Sequence, residues 1–154
     1  MKARVVHDLD GGEPLGANIA RIVAVRVAEL RSFVPAAFDP ADVTALHDLR
    51  IAAKRLRYIL ELAGEACVGP QAKPAVALLK ELQEVLGEVH DSDEMLPRLM
   101  EHGGDGVELL VARVRVRRAE RFAGFVVLWP RVVAAATSCL QRDHREGVPF
   151  LNQP

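Results

Sequence analysis

Several side-chain types are scarce in this chain of 154 residues, and each scarcity excludes a class of protein. The two cysteines, Cys67 and Cys139, are too few for a disulfide framework or a cysteine-based zinc site, and we expect both to be reduced. The longest apolar run, residues 122–129, is too short to span a bilayer. Residues 1–8 contain no apolar core of a secretory signal. These features predict a cytoplasmic protein.

Enzyme motifs are also absent. The sequence contains no G-x-x-x-x-G-K-[ST], no G-x-G-x-x-G after a strand and no H-E-x-x-H. The cluster His90-Asp-Ser-Asp-Glu94 holds residue types that bind metals, but adjacent residues on a helix point in different directions. We therefore predict a protein without a catalytic residue, a bound metal or a cofactor.

Charge is balanced over the whole chain, which carries a formal net charge of −1. It is not balanced locally, because residues 81–108 contain nine acids against the single cation Arg98. Residues 113–121 contain five arginines against Glu120 alone. A site for an anion must therefore come from segregated charge and not from an overall basic character.

Apolar residues recur with a period of about 3.6 throughout the chain, which predicts an all-α protein. We expect an antiparallel bundle of four to six helices over residues 14–141. A flexible N-terminal tail over residues 1–13 and a polar C-terminal tail over residues 142–154 would flank the bundle.

Helix boundaries follow from proline, glycine and capping residues. The pattern predicts helices over about residues 15–34, 42–66, 74–89 and 107–140. A short additional helix would begin at Asp91, which with Glu94 fits a capping box, and Pro97 would kink or shorten it. A bend is expected in the last helix at Gly124 or Pro130.

The second predicted helix separates into two faces when it is drawn at about 100° per residue. One face is apolar, as any bundle helix requires. The other face carries mostly basic residues within an arc of about 100°: His47, Arg50, Lys54, Arg57, Tyr58 and Glu61. Since like charges one turn apart repel, solvated helix faces usually mix signs. The row of cations therefore predicts a polyanion ligand. The alternative is a charged surface that only contacts solvent, but this alternative does not explain why a histidine lies in the same row as the cations.

Other arginines lie at less exposed positions. Arg26 falls on the apolar face of the first helix, where an unpaired guanidinium is costly. We expect it to pair with an acid such as Glu61 or to point into a polar cavity; the alternative is an arginine that reaches solvent at the rim. Arg113 and Arg117 belong to a ridge partly on the apolar seam of the last helix, a position that suits the lining of a groove.

Two motifs resemble the CHAD domain, the conserved-histidine α-helical domain. The first is H-D-L-R-x-x-x-K-R-L-R-Y-x-L-E at residues 47–61, and the second is L-L-K-E-L-Q-E-V-L-G-E-V-H-D at residues 78–91. The resemblance is strongest over residues 47–96 and extends over about residues 15–140. A full domain of this family contains two such bundles, and this chain resembles the second of them. One departure is His90, where the first-bundle motif has arginine.

The resemblance implies an all-helical fold in which basic residues on inner helical faces bind inorganic polyphosphate. It places His47, Arg50, Lys54 and Arg57 at the basic motif positions and Lys80 on the second motif helix. The candidate ligand-binding residues are His47, Arg50, Lys54, Arg57, Tyr58, Lys80, Arg26, Arg113 and Arg117. Arg26, Arg113 and Arg117 fall outside the motifs, and their candidacy comes only from their place in the sequence.

We therefore expect a non-enzymatic bundle that binds polyphosphate. A nucleic-acid binder, an accessory or regulatory domain of a phosphate-metabolising enzyme, and a basic surface that docks an acidic protein are the alternatives. The resemblance also leads us to expect a homodimer, because the family's domain has two histidine helices and this chain has one. A two-fold pair would restore the second, and closed two-fold dimers are the commonest soluble assembly. The segment Phe122–Trp129 is the candidate contact; burial of this segment within one chain remains the alternative.

Overall fold

Four α-helices and one short 3₁₀ helix make up the part of the chain that the computed structural model describes, residues 2–141. The α-helices are α1 (Leu15–Arg31), α2 (Val43–Val68), α3 (Ala72–His102) and α4 (Val107–Ser138), and the 3₁₀ helix is Ala36–Phe38. The prediction of an all-α bundle is confirmed. None of these helices has the length and apolarity needed to cross a membrane. The predicted C-terminal tail, residues 142–154, lies outside the described residues.

Short connections make each helix pack against the next one. α2 packs between α1 and α3, α3 packs on α4, and α1 touches α4. The core consists of the apolar stripes of all four helices. Its largest fully buried apolar side chains include Leu30, Leu49, Leu56, Leu60, Leu79, Leu82, Leu86 and Phe125. The sequence pattern that predicted helices therefore also identifies the core.

Capping groups and prolines explain where α1 ends and α2 begins. α1 ends at Arg31, three residues before the predicted end, because Pro35 disfavours a helical backbone at the residue before it. α2 starts after Asp42, whose carboxylate accepts a hydrogen bond from the Ala45 backbone N–H at 2.9 Å. Gly64 interrupts α2 with φ +57°, a value that favours glycine.

α3 continues where the sequence predicted a break at Asp91, so the predicted separate short helix and its capping box are wrong. Ser92 is buried, and its hydroxyl donates a hydrogen bond to the Glu88 carbonyl at 2.8 Å. One residue later, Asp93 pairs with Arg118 of α4 at 2.5 Å. These contacts hold the helix through Asp91, which is exposed and caps nothing.

Pro97 lies inside α3, and the helix continues beyond it to His102. Similarly, α4 is continuous through Gly124 and Pro130, where the sequence predicted a bend. Both prolines are exposed. A helix-interior proline removes one backbone hydrogen bond, and the packing of the adjoining turns against the bundle offsets that loss.

Aromatic side chains of the predicted dimer segment lie in the core of one chain. The Phe125 ring contacts Phe38 with the two centroids 5.3 Å apart, and Trp129 with the centroids 6.0 Å apart. Phe125, Leu128 and Trp129 are all buried. These three side chains are therefore not available for a contact between two copies, and a contact through the exposed side chains of the segment stays a prediction. Val127, by contrast, is 77% exposed.

The N-terminal segment, residues 2–13, has no regular secondary structure but is hydrogen-bonded to α1. The Asn18 side chain accepts from the Asp10 backbone N–H at 3.0 Å and donates to the Asp10 carbonyl at 2.6 Å. Glu13 pairs with Arg21 at 2.5 Å, and the hydrogen bond from Arg21 lowers the pKa of the Glu13 carboxyl. These contacts therefore hold the end of the N-terminal segment against the first turns of α1.

Candidate functional site

The basic row of α2 lies beside one flank of α3, and together they form a surface that we call the α2–α3 face. Six of the predicted site residues belong to this face: His47, Arg50, Lys54, Arg57, Tyr58 and Lys80. Glu61 on α2, together with Gln83, Gly87 and His90 on α3, completes it. Because these residues repeat every three or four positions, each helix contributes one continuous row.

Two histidines meet at the end of the face near the start of α2. The imidazole centroids of His47 and His90 lie 5.2 Å apart, and both residues are half-buried. One turn further along, Arg50 lies against Gly87, where a Cβ atom would come within 3.9 Å of Arg50 Nε. The Arg50 guanidinium therefore lies close to the α3 backbone at Gly87.

Glu61 is the single acid at the opposite end of this face. Its carboxylate lies 3.2 Å from Arg57 and 3.2 Å from Lys80. Arg50 and Lys54 have no carboxylate within ion-pair distance among residues 2–141. Four permanent cations thus face one acid, and the surface keeps a net positive charge whatever the state of the histidines.

Tyr58 supports two of these cations. The Arg57 guanidinium carbon lies 4.7 Å from the centre of the Tyr58 ring, and Lys54 Nζ lies 5.7 Å from it. The negative face of an aromatic ring attracts cations at such distances. Tyr58 is 49% exposed, so it holds both cations at the surface of the protein.

Hydrogen-bond donors outnumber acceptors on the α2–α3 face. Arg50 Nε, Arg57 Nε and Gln83 Nε2 are buried without a hydrogen-bond partner in the part of the chain that the structure describes. A buried donor without an acceptor costs about 1–3 kcal/mol. The face therefore has unmet hydrogen-bond donor capacity beside its cations.

Arg26 does not belong to this face, which corrects its prediction as a ligand-binding residue. Its side chain is buried, pairs with the buried carboxylate of Glu29 and donates to the Arg4 carbonyl at 2.6 Å. Arg55 pairs with the same carboxylate at 2.9 Å. The expected acid partner is thus Glu29, one turn away on α1, and not Glu61. Arg26 is a core residue that fastens the N-terminal segment.

Arg113 and Arg117 belong to α4 and line the groove beside the other flank of α3, apart from the α2 row. Arg117 and Arg121 each lie 2.8 Å from the Glu88 carboxylate, and the hydrogen bond from Arg117 lowers the pKa of Glu88. A groove of about 390 Å³ runs between α3 and α4 here. It is lined by Glu88, Asp91, Ser92, Met95, Leu110, Arg113, Val114 and Arg117. The predicted groove exists, but it is distinct from the α2–α3 face.

Sequence reasoning did not place His90 and Gln83 in the site. The signal was present, since both lie on the same flank of the third helix as Lys80. His90 was considered instead with its acidic neighbours as a metal-binding cluster. Within residues 2–141 no group of three histidine, cysteine or acidic side chains is close enough to hold a metal ion.

Comparison with known families agrees with this geometry. The sequence profile of the CHAD domain matches residues 3–99, which comprise the N-terminal segment, α1, α2 and nearly all of α3. The chain belongs to the CHAD family. The match contains the whole α2–α3 face of this CHAD protein, whereas α4 lies beyond it. No curated protein and no solved structure matches the chain.

Proposed function

We propose that this CHAD protein binds inorganic polyphosphate on the α2–α3 face. The observation that carries the proposal is the charge of the face: Arg50, Lys54, Arg57 and Lys80 meet the single carboxylate of Glu61. His47 and His90 extend the row at one end. Membership of the CHAD family supports the same ligand, because the family resemblance implies polyphosphate binding by these motif positions.

The physical form of the face suits a linear polyanion. From His47 to Arg57 the row extends about 15 Å along α2, at about 1.5 Å per residue. Polyphosphate carries a charge on each phosphate, so it requires a row of cations and no enclosed pocket. Bonds between charged guanidinium and phosphate groups are stronger than neutral hydrogen bonds and are often bidentate. Each arginine would thus hold phosphate oxygens with its terminal nitrogens.

Nucleic acid is the second candidate, since its backbone is also a polyanion. Tyr58 is the one aromatic residue besides the histidines on the α2–α3 face, and it already supports Arg57 and Lys54. Single-stranded nucleic acid would lack a series of rings for its bases to stack on. Contact with a duplex backbone would depend on charge alone, and we expect it to be weaker than polyphosphate binding.

We propose binding without turnover. None of the ten residues that define the α2–α3 face is a serine, a threonine or a cysteine. The face has one carboxylate, Glu61, and it is engaged with Arg57 and Lys80. Polyphosphate incubated with the purified chain and magnesium should therefore keep its length; release of phosphate that is lost on His47→Ala substitution would contradict this part of the proposal.

Substitution of two unpaired cations tests the site. The double variant Arg50→Ala, Lys54→Ala should bind polyphosphate at least tenfold more weakly at low salt, because each charged hydrogen bond contributes about 1.5–3 kcal/mol. A matched control replaces two exposed arginines elsewhere, Arg98→Ala and Arg115→Ala, and should retain most of the affinity. Both variants should keep the helical circular dichroism of the parent. Equal loss of affinity in the two variants would contradict a localised site.

A further inference from the structure

One carboxylate oxygen connects the two helices of the α2–α3 face. Glu61 Oε1 accepts a hydrogen bond at 3.2 Å from Arg57 Nη1, which lies one turn earlier on α2. The same oxygen lies 3.2 Å from Lys80 Nζ on α3. Two cations from two helices thus converge on a single anionic oxygen. We call the position of this oxygen, between Arg57 and Lys80, the bridging subsite.

The bridging subsite suits a phosphate oxygen as well as a carboxylate oxygen. Both are anionic acceptors, and both form charge-assisted hydrogen bonds with guanidinium and ammonium groups. A guanidinium has five N–H donors and an ammonium has three, so one carboxylate oxygen uses only a small part of what Arg57 and Lys80 offer. A chain of phosphates presents anionic oxygens at every unit and would replace the single oxygen of Glu61.

The contacts of Glu61 are those of a group that a ligand can displace. Both contact distances, 3.2 Å, exceed the length of about 2.7–2.9 Å that is usual for charge-assisted hydrogen bonds. The side chains of Glu61 and Lys80 are 34% and 53% exposed, and ion pairs at such positions usually change an equilibrium by about fivefold or less. The fold does not depend on these pairs, because Leu56, Leu60 and Leu79 belong to the buried core of the two helices.

We propose that Glu61 is an internal competitor of the ligand: it occupies the bridging subsite in the free chain, and a phosphate of bound polyphosphate displaces it. This inference rests on the proposed function and adds to it a residue that lowers the affinity of the face. Displacement leaves the Glu61 carboxylate in water, while Arg57 and Lys80 exchange one anionic partner for another. The ligand therefore gains only the difference between the two interactions at this subsite.

This competition favours a chain of phosphates over a single anion. Arg50 and Lys54 have no carboxylate within ion-pair distance among residues 2–141, so they can hold a chain without displacing an acid. Arg50 and Arg57 are about 10 Å apart along α2, at about 1.5 Å per residue. A chain held at Arg50 presents its further phosphates to the bridging subsite at a high effective concentration, whereas inorganic phosphate must displace Glu61 from its bulk concentration. Glu61 is therefore a specificity-determining residue.

The affinity of two charge-matched variants tests the inference first. Glu61→Gln should bind polyphosphate at least about threefold more tightly than the parent chain, because the bridging subsite is then open to the ligand. Glu65→Gln is the matched control, since it removes the same charge from the same helix. Glu65 is exposed and has no ion pair within residues 2–141, and at physiological salt its substitution should change the affinity by less than about twofold. An affinity of Glu61→Gln that is equal to or below that of Glu65→Gln would overturn the inference. A carboxylate that merely positions Arg57 and Lys80 would give this result.

Competition by inorganic phosphate tests the selectivity. When phosphate replaces chloride at constant ionic strength, polyphosphate binding should weaken by a larger factor in Glu61→Gln than in the parent chain. The reason is that free phosphate can enter the bridging subsite of the variant without displacing a carboxylate. Equal weakening of the two proteins would exclude Glu61 as a specificity-determining residue.

A double-mutant cycle with Lys80 locates the competition. Lys80→Met should weaken polyphosphate binding at least about threefold more in the Glu61→Gln background than in the parent chain, because only the parent also loses the competing Glu61–Lys80 pair. All variants should keep the helical circular dichroism of the parent. Additive effects of the two substitutions would overturn the shared subsite. Absence of polyphosphate binding by the parent chain would overturn the proposed function as well, whereas binding by the parent without tighter binding by Glu61→Gln would overturn this inference alone.

Discussion

His47 of α2 and His90 of α3 face each other with their imidazole centroids 5.2 Å apart, at the end of a row of cations. Arg50 lies one turn from His47, and Glu94 lies one turn beyond His90. Asp48 and Asp91 directly follow the two histidines in sequence, and Asp93 is engaged by Arg118. The histidine pair therefore places two imidazole rings, with their hydrogen-bonding nitrogens, at the end of the cation row.

Removal of both imidazoles should weaken polyphosphate binding, because imidazole N–H groups are hydrogen-bond donors for phosphate oxygens. The variant is His47→Ala, His90→Ala, and both residues lie at the end of the cation row. Dissociation constants measured at constant pH and ionic strength check this, with Arg98→Ala, Arg115→Ala as the control. An unchanged affinity in the histidine variant would exclude a role of the pair.

Arg26→Ala should lower the free energy of unfolding by about 3 kcal/mol, in the range measured when a buried ion pair loses one partner. The variant leaves the buried Glu29 carboxylate with Arg55 and without its pairing to Arg26. Urea unfolding measures the change. Polyphosphate affinity at low temperature, where the variant is folded, should match the parent. A loss of polyphosphate affinity in the folded variant would show that Arg26 contributes to the ligand site.

Acid should weaken the contact between α3 and α4 through Glu88. The hydrogen bond from Arg117 lowers the pKa of Glu88 in the folded chain. Its stabilising contribution is therefore complete above the unfolded pKa and is lost as the pH falls through the folded pKa. Between about pH 6 and about pH 3, the urea midpoint of the parent should fall further than that of Glu88→Gln. Equal decreases in the two urea midpoints would show that the Glu88–Arg117 ion pair does not contribute to stability.

Periodicity predicted the fold because each helix buries one stripe, and the stripes of α1 to α4 recur with the helical period. The break predicted at Asp91 was wrong because an acid followed by Glu94 also occurs inside helices. Ser92 and Asp93 make contacts that carry the helix onward. The Asp93–Arg118 pair joins residues that are 25 positions apart in sequence, and local capping patterns do not contain it.

The site was predictable along one helix but not across two. The spacing of His47, Arg50 and Lys54 defines their row on α2, whatever packs beside it. The contact of His47 with His90 depends on how α2 and α3 are aligned, and the period of each helix does not determine that alignment. The partner of Arg26 was a missed local signal, because Glu29 follows it at the three-residue spacing typical of helical ion pairs.

The central claim is that the α2–α3 face selects polyphosphate and does not merely attract any polyanion. Its most direct test compares the affinity of the chain for polyphosphate and for duplex DNA of equal total charge, at matched physiological ionic strength. We predict tighter binding of polyphosphate, with an affinity that falls steeply as salt is raised. Equal affinity for the two polyanions would contradict the claim.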